Sequence, residues 1–258
     1  MSDEMKTTGG IRITREDAVL QVLLSRPERL NALRTKDLDE LAEAIDRAAD
    51  DSGVRVVLLA GEGRAFCSGA DLGDVVDTST VDAANRAVRA LRHIGKPVVA
   101  AVGGAAAGVG CSLALACDLV IAKRSAYLLL AFAGVGLMPD GGATALVPAA
   151  VGRARAMRMA LLGERVAAAT AAEWGLIGQV ADDDAFDATV ASTLARLTAG
   201  PPLAYARTKR AINEAALPAL IRALKTERNG QAELLRSNDF AEGTAAFRDH
   251  RPPKFTGI

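Results

Sequence analysis

The sequence predicts an α/β fold closed by a helical C-terminal segment, and two patterns carry that expectation. Short β-branched and aliphatic runs alternate with amphipathic helical stretches through the first half of the chain, and after about Gly141 the pattern becomes almost wholly helical. With 258 residues, half of them hydrophobic, the chain is long enough to bury a full core.

Ile11 to Thr14 and Ala18 to Leu24 read as paired strands. Leu38, Leu41, Ala44, Ile45 and Ala48 then recur at helical spacing, so a helix follows them. Val54 to Ala60 is a buried-strand run that ends at Gly61-Glu62-Gly63. Val81 to Ile94 is helical until Gly95-Lys96-Pro97 stops it. Pro97 to Val102 restarts the cycle with a second buried strand, a glycine-rich turn, a short helix through Leu113 to Cys117, a strand at Leu119 to Ala122 and an extended stretch at Tyr127 to Leu130. Beyond Gly141 the expected helices are Ala143 to Ala150, Arg153 to Leu162, Ala167 to Trp174, Ala185 to Ala199 and Leu203 to Ala215, with one strand at Gln179 to Ala181. Leu217 to Arg236 reads as a long amphipathic helix with Leu217, Leu220, Ile221 and Leu224 on its apolar side. No long linker interrupts the chain, so residues 1–200 and the helical segment 201–258 are expected to share one core.

Composition removes several classes of function. Lysine plus arginine equal aspartate plus glutamate at 31 each, so no global field draws the chain to nucleic acid or an anionic membrane. Residues Met1 to Gly10 are polar and resemble neither a secretory signal nor a membrane anchor, which makes the cytoplasm the expected location. Cys67, Cys111 and Cys117 are odd in number and lie in or beside apolar segments, as buried thiols in a reducing compartment do. His93 and His250 are the only histidines, which leaves little for a histidine metal site or a Ser-His-Asp hydrolase and puts both at a disadvantage. Ser68 also lacks the Gly-x-Ser-x-Gly elbow of a hydrolase nucleophile.

Two turns offer backbone chemistry. The segment Gly61 to Leu72 follows a buried strand, where a sharp turn aims N–H groups into a cleft, with Ala70 as the candidate donor; an ordinary strand-to-loop turn is the competing explanation. Gly103-Gly104-Ala105-Ala106-Ala107-Gly108-Val109-Gly110 follows the second buried strand and opens a helix, whose free N–H groups suit an anion, with Val109 the candidate; close packing of small residues explains the same glycines and alanines. After Gly108 and Gly110 the third position of a dinucleotide fingerprint is Leu113, and no Gly-Lys-Ser/Thr follows for a P-loop. Asp140, ahead of Gly141-Gly142 and a helix, is what a turn or an N-cap requires. Asp182-Asp183-Asp184 reads as a cap with solvated neighbours, Asp118 as a structural hydrogen-bond partner, and Glu28 and Glu62 as turn residues. His93 sits near a helix C-terminus without an evident catalytic partner.

The two turns taken together, with Arg26-Pro27-Glu28-Arg29-Leu30-Asn31-Ala32-Leu33, Lys96 to Val102, Gly134 to Gly142, Ala167 to Val180 and Lys254-Phe255-Thr256-Gly257, resemble the enoyl-CoA hydratase/isomerase (crotonase) superfamily nearly end to end. The resemblance implies a crotonase-like spiral of ββα units, a helical C-terminal segment that packs trimers or dimers of trimers, and an acyl-CoA thioester substrate. No separate cofactor is implied, because coenzyme A is part of the substrate. It places the thioester oxygen between the Ala70 and Val109 amides, where donors fixed in advance stabilise the charge of an enolate. It also implies that Ser68 and the Ala70-Asp71-Leu72 backbone hold the coenzyme, and that Arg29 and, from a neighbouring subunit, Lys254 attract phosphate.

Hydratases of this superfamily use two glutamates, and here Ser112 and Phe132 occupy those positions. Asp140 instead matches the acidic base of enoyl-CoA isomerases, and the flanking segments look like bacterial isomerases of phenylacetate degradation, which take ring-derived thioesters. The leading expectation is therefore a Δ3,Δ2-enoyl-CoA isomerase with Asp140 as proton shuttle. The alternatives are an enoyl-CoA hydratase with a non-standard acid/base pair, a CoA-binding homologue with weak catalysis and, more remotely, a dinucleotide reductase.

Overall fold

The computed structural model describes residues 3–257. β1 (Asp3–Thr8), β2 (Ile11–Glu16) and β3 (Val19–Leu24) form an antiparallel meander that opens the main sheet. The sequence pattern signals the second and third of these; the first is polar and carries no alternation that would mark it. After α1 (Thr35–Asp50), β4 (Val56–Gly61) adds in parallel to β3, followed by the short β5 (Ala65–Cys67) and α2 (Thr78–His93). The same unit repeats as β6 (Val98–Val102), β7 (Ala105–Ala107) and α3 (Val109–Ala116), and again as β8 (Leu119–Lys123), β9 (Tyr127–Leu129) and α4 (Ala143–Leu162).

In each unit the long strand joins one sheet and the short strand another. The main sheet runs β1-β2-β3-β4-β6-β8, and β5, β7 and β9 line up in parallel in the smaller one. Leu33 forms an isolated parallel bridge to Ala70, three residues beyond the end of β5. This is the expected spiral of ββα units. Every residue of β6 is buried, as a parallel strand covered on both faces requires. Leu38, Leu41 and Ile45 of α1 pack fully buried into the same core as Leu91 of α2 and Leu113 of α3.

β10 (Val166–Ala167) pairs with β9, α5 (Ala168–Glu173) follows, and β11 (Gln179–Ala181) closes the main sheet beside β8. α6 (Phe186–Ala199), α7 (Pro202–Ala216), α8 (Leu220–Leu234) and α9 (Asn238–Arg248) complete the chain. The two helices expected at Ala143 to Ala150 and Arg153 to Leu162 are both found within α4, separated at Gly152, whose φ of 74° and ψ of 165° lie far from helical values. The long helix expected from Leu217 starts three residues later as α8; Leu220 and Leu224 are buried, but Ile221 is 53% exposed. Asp118 has the structural role expected of it: its carboxylate accepts from Val98 N (2.8 Å) and pairs with Lys209 Nζ of α7 (2.8 Å). The cap expected at Asp182-Asp183-Asp184 is not formed. Asp182 instead pairs with Arg124 (2.6 Å) and Asp183 accepts from Ser125 N (3.1 Å), both in the turn between β8 and β9, so these carboxylates are taken up by a neighbouring turn and leave the start of α6 uncapped. Among the described residues no helix is long and apolar enough to cross a membrane.

Candidate active site

β5 and β7 are adjacent parallel strands, so the turns that leave them emerge side by side. Gly69 (φ 115°) and Gly108 (φ 53°) make the turns, both in the region that disfavours a side chain. They also touch: a Cβ on Gly108 would stand 3.4 Å from Gly69 Cα. The next residue in each turn is Ala70 or Val109. In the Leu33–Ala70 bridge, Leu33 N donates to Gly69 O and Asp71 N to Leu33 O, which turns the Ala70 N–H to the other side. Val109 opens α3, so its N–H is one of the helix's free donors. Both residues line one cavity of about 610 Å³, and among the described residues neither N–H donates elsewhere.

Asp140 reaches the same cavity from the loop before α4. Phe132, Val135, Leu137 and Leu235 make that part of the wall apolar. Asp140 is 7% exposed; its Oδ2 accepts from Gln231 Nε2 of α8 at 2.8 Å, and its Oδ1 is buried with no partner among the described residues. Burial pushes the carboxyl up to about 7, against the Gln231 hydrogen bond and with help from the negative charge of Glu227. Asp140 does not cap α4. Glu227, also on α8, does so from outside the segment, its Oε2 accepting from Gly142 N (2.7 Å) and its Oε1 from Thr144 N (2.8 Å) and Thr144 Oγ1 (2.5 Å). With the cap supplied by Glu227, the Asp140 side chain is not needed at the helix start and lines the cavity, held by Gln231. Ser112, fully buried on α3, donates to Asp140 O (2.7 Å) and so braces the loop from the other side.

Residues 14–257 match the family described as Enoyl-CoA hydratase/isomerase. The chain belongs to that family. It is 42% identical to a 1,2-epoxyphenylacetyl-CoA isomerase of Escherichia coli over 94% of this chain and 96% of the relative. It is also 42% identical to a probable enoyl-CoA hydratase of Rhodobacter capsulatus, over 96% and 98%. The crystal structure of an enoyl-CoA hydratase from Mycobacterium avium subsp. paratuberculosis superposes with a TM-score of 0.93 at 49% identity, covering 97% of this chain and all of that one. Membership makes this protein an acyl-CoA enzyme of the crotonase superfamily.

In this hydratase/isomerase the other expected site residues divide into two groups. Arg29, Ser68, Asp71 and Leu72 line the cavity with Ala70 and Val109. The Asp71 side chain is occupied: Oδ2 pairs with Arg26 (2.8 Å) and Oδ1 accepts from Gly73 N (3.0 Å). Burial alone would raise its carboxyl, but the Arg26 hydrogen bond, the Gly73 N–H and the charges of Arg26 and Arg29 hold it below the usual range. It therefore shapes the loop while the backbone faces the cavity. Ser68 Oγ donates to Arg29 O (3.3 Å) and fastens the turn at Arg29 to the first glycine turn. Lys254 stands away from this cavity, on a tail tied to α9 by its own N–H to Glu242 (2.8 Å) and by Thr256 N to Asp239 (2.6 Å). Glu62 is engaged with Arg12 and with Ser25 Oγ (2.6 Å), and His93 Nδ1 donates to Arg89 O (2.8 Å); both are structural.

Glu227 and Gln231 escape a reading by motifs because they lie on a helix some ninety residues from Asp140. A signal was present: Leu220, Leu224, Glu227 and Gln231 fall on one face at helical spacing, and two polar residues continuing an apolar stripe are buried for a reason.

Proposed function

We propose that this protein is a Δ3,Δ2-enoyl-CoA isomerase in which Ala70 N and Val109 N hold the thioester oxygen and Asp140 moves the proton. One observation carries the reading: a buried carboxyl held up to about 7 shares an apolar cavity with two unengaged backbone amides. Ionised Asp140 takes the proton from C2 of a 3-enoyl thioester, and the electrons move toward the thioester oxygen. The resulting dienolate carries its charge on that oxygen, where the two N–H donors meet it. The neutral carboxyl then returns its proton at C4, and the double bond moves into conjugation. A group poised near the working pH serves both halves of this cycle.

Arg29 at the cavity mouth and the backbone at Ala70 to Leu72 suit the phosphates and adenine of coenzyme A, which enters as part of the substrate. We assign the helical segment 201–258 to packing in a trimer or dimer of trimers. Leu203, Ile212 and Ile221 on α7 and α8 are large apolar side chains more than half exposed in the single chain, and an assembly would bring Lys254 to a neighbour's coenzyme. The E. coli relative, named as a 1,2-epoxyphenylacetyl-CoA isomerase, supports an isomerisation over a hydration, although its named substrate is an epoxide and not a 3-enoyl chain.

The second reading, a hydratase, draws on the name of the R. capsulatus relative. It needs a second carboxylate at the double bond, and the cavity offers Glu28 and the already paired Asp71. Two ultraviolet assays separate the readings: conjugation of a 3-enoyl-CoA and, separately, loss of a 2-enoyl-CoA, each with Asp140→Ala beside wild type. Conjugation by wild type that falls by about 10² to 10⁴ in the variant is the expected result. Hydration that survives the substitution, with no conjugation in either protein, sinks the isomerase reading.

A further inference from the structure

α8 grips the loop that carries Asp140 along its whole length. Gln231 Nε2 donates to Met138 O (2.9 Å) and to Asp140 Oδ2 (2.8 Å), and Glu227 accepts from Gly142 N and from Thr144. Glu227 and Gln231 are one turn apart, both essentially without solvent exposure. The orientation of the amide is fixed by its neighbours: both contacts of its nitrogen end are acceptors, a carbonyl and a carboxylate. The mechanism above uses neither residue.

A loop that only needed holding could be held by neutral groups. Burying Glu227 is costly, and its three donors all belong to the segment just after Asp140. The two α8 side chains also act on Asp140 in opposite senses. A donor on Oδ2 favours the anion, whereas a carboxylate anchored two residues further along disfavours it.

We propose that Glu227 and Gln231 are the positioning residues of the proton shuttle: the amide sets the orientation of Asp140 and favours its anion, and the buried carboxylate opposes that anion. This assignment rests on the isomerase reading. The position of Asp140 near 7, with burial as first cause, Gln231 lowering and Glu227 raising, agrees with it. On α3, which Ser112 ties to the Asp140 loop, Cys111 is the one ionisable side chain, and burial keeps it neutral, its thiol pushed up to about 12. Glu28, Arg29, Arg64, Asp71 and Arg248 stand elsewhere on the cavity wall and are unchanged by the substitutions below.

The test is a pair of titrations on Gln231→Met and Glu227→Gln. One is the pH profile of kcat/KM for conjugation; the other is the carboxyl band of Asp140 by difference infrared spectroscopy, assigned with Asp140→Asn and independent of turnover. Gln231→Met should move the midpoint up by about one pH unit and Glu227→Gln should move it down by a similar amount, with KM little changed. A merely structural role predicts no such opposition. Shifts in the same direction, or none, overturn the proposal. If Glu227→Gln does not fold, the criterion of opposed signs gives way to one of size: Gln231→Glu keeps the volume, exchanges the donor for a second acid and should raise the midpoint further than Gln231→Met, and a midpoint raised no further overturns the assignment. Opposed infrared shifts in a protein with no conjugating activity would uphold the electrostatic pair and remove the isomerase reading, so the two failures are distinct.

Discussion

Replacing Asp140 with asparagine should make the protein less active and, above neutral pH, more stable. Burial, the largest cause, and the charge of Glu227 raise the Asp140 carboxyl from 3.8 to about 7 in the folded protein, against the Gln231 hydrogen bond. The folded state therefore holds this proton more tightly than the unfolded chain does. Below about pH 4 the group is neutral in both states and its contribution is fully present. As pH rises from there, ionisation favours the unfolded chain, and the contribution is lost progressively until the folded carboxyl itself ionises near 7. A shift of about 3 units corresponds to a ceiling of about 4 kcal/mol. The amide of the variant does not titrate. The stability of Asp140→Asn minus that of wild type should thus grow between about pH 4 and about pH 8 by up to about 4 kcal/mol, then level off. Urea unfolding at one protein concentration across that range measures it. A difference that stays flat with pH would refute a buried carboxyl with raised proton affinity, and the proton-shuttle reading with it.

Three further outcomes follow from the same geometry. Val109→Pro removes one candidate oxyanion donor at a helix position where proline is tolerated, so kcat should fall by about 10² to 10³ with the fold kept, as steady-state kinetics beside circular dichroism would show. Cys67 and Cys111 are fully buried with thiols pushed up to about 12, so a thiol reagent at about pH 8 should leave both unlabelled in the native protein and modify them after unfolding. Lys209→Met strips the partly buried Asp118 of its 2.8 Å partner and leaves Arg92 at 3.9 Å and the Val98 N–H, which should cost about 1 to 3 kcal/mol in a denaturant titration.

Where an element has length and period, the sequence declares it. The unbroken apolar run at Val98 to Val102 and the helical stripe of Leu38, Leu41 and Ile45 both sit where their patterns put them. The smaller sheet is different. β5, β7 and β10 are three, three and two residues long, and β7 is three alanines between glycine turns, too short for any period and too small for strand propensity. They form because the neighbouring long strands bring them together, which is information about the whole chain.

The candidate site divides along the same line. Ala70, Val109 and Asp140 each stand in a glycine-marked turn, and a local motif exposes them. Whether Asp140 caps its helix or faces the cavity is not written in that motif, because both roles place aspartate before glycine at a helix start. The answer lies on α8. Glu227 takes the capping bonds, Gln231 takes one carboxyl oxygen, and the remaining oxygen is left buried without a donor among the described residues. A residue that looks like a cap from its neighbours becomes a candidate base because a helix some ninety positions later caps in its place. In the proposed mechanism the C-terminal helices therefore belong to the chemistry as well as to the packing: a change that displaced α8 would release the Asp140 loop and disturb its proton affinity before it touched the candidate oxyanion amides that follow β5 and β7.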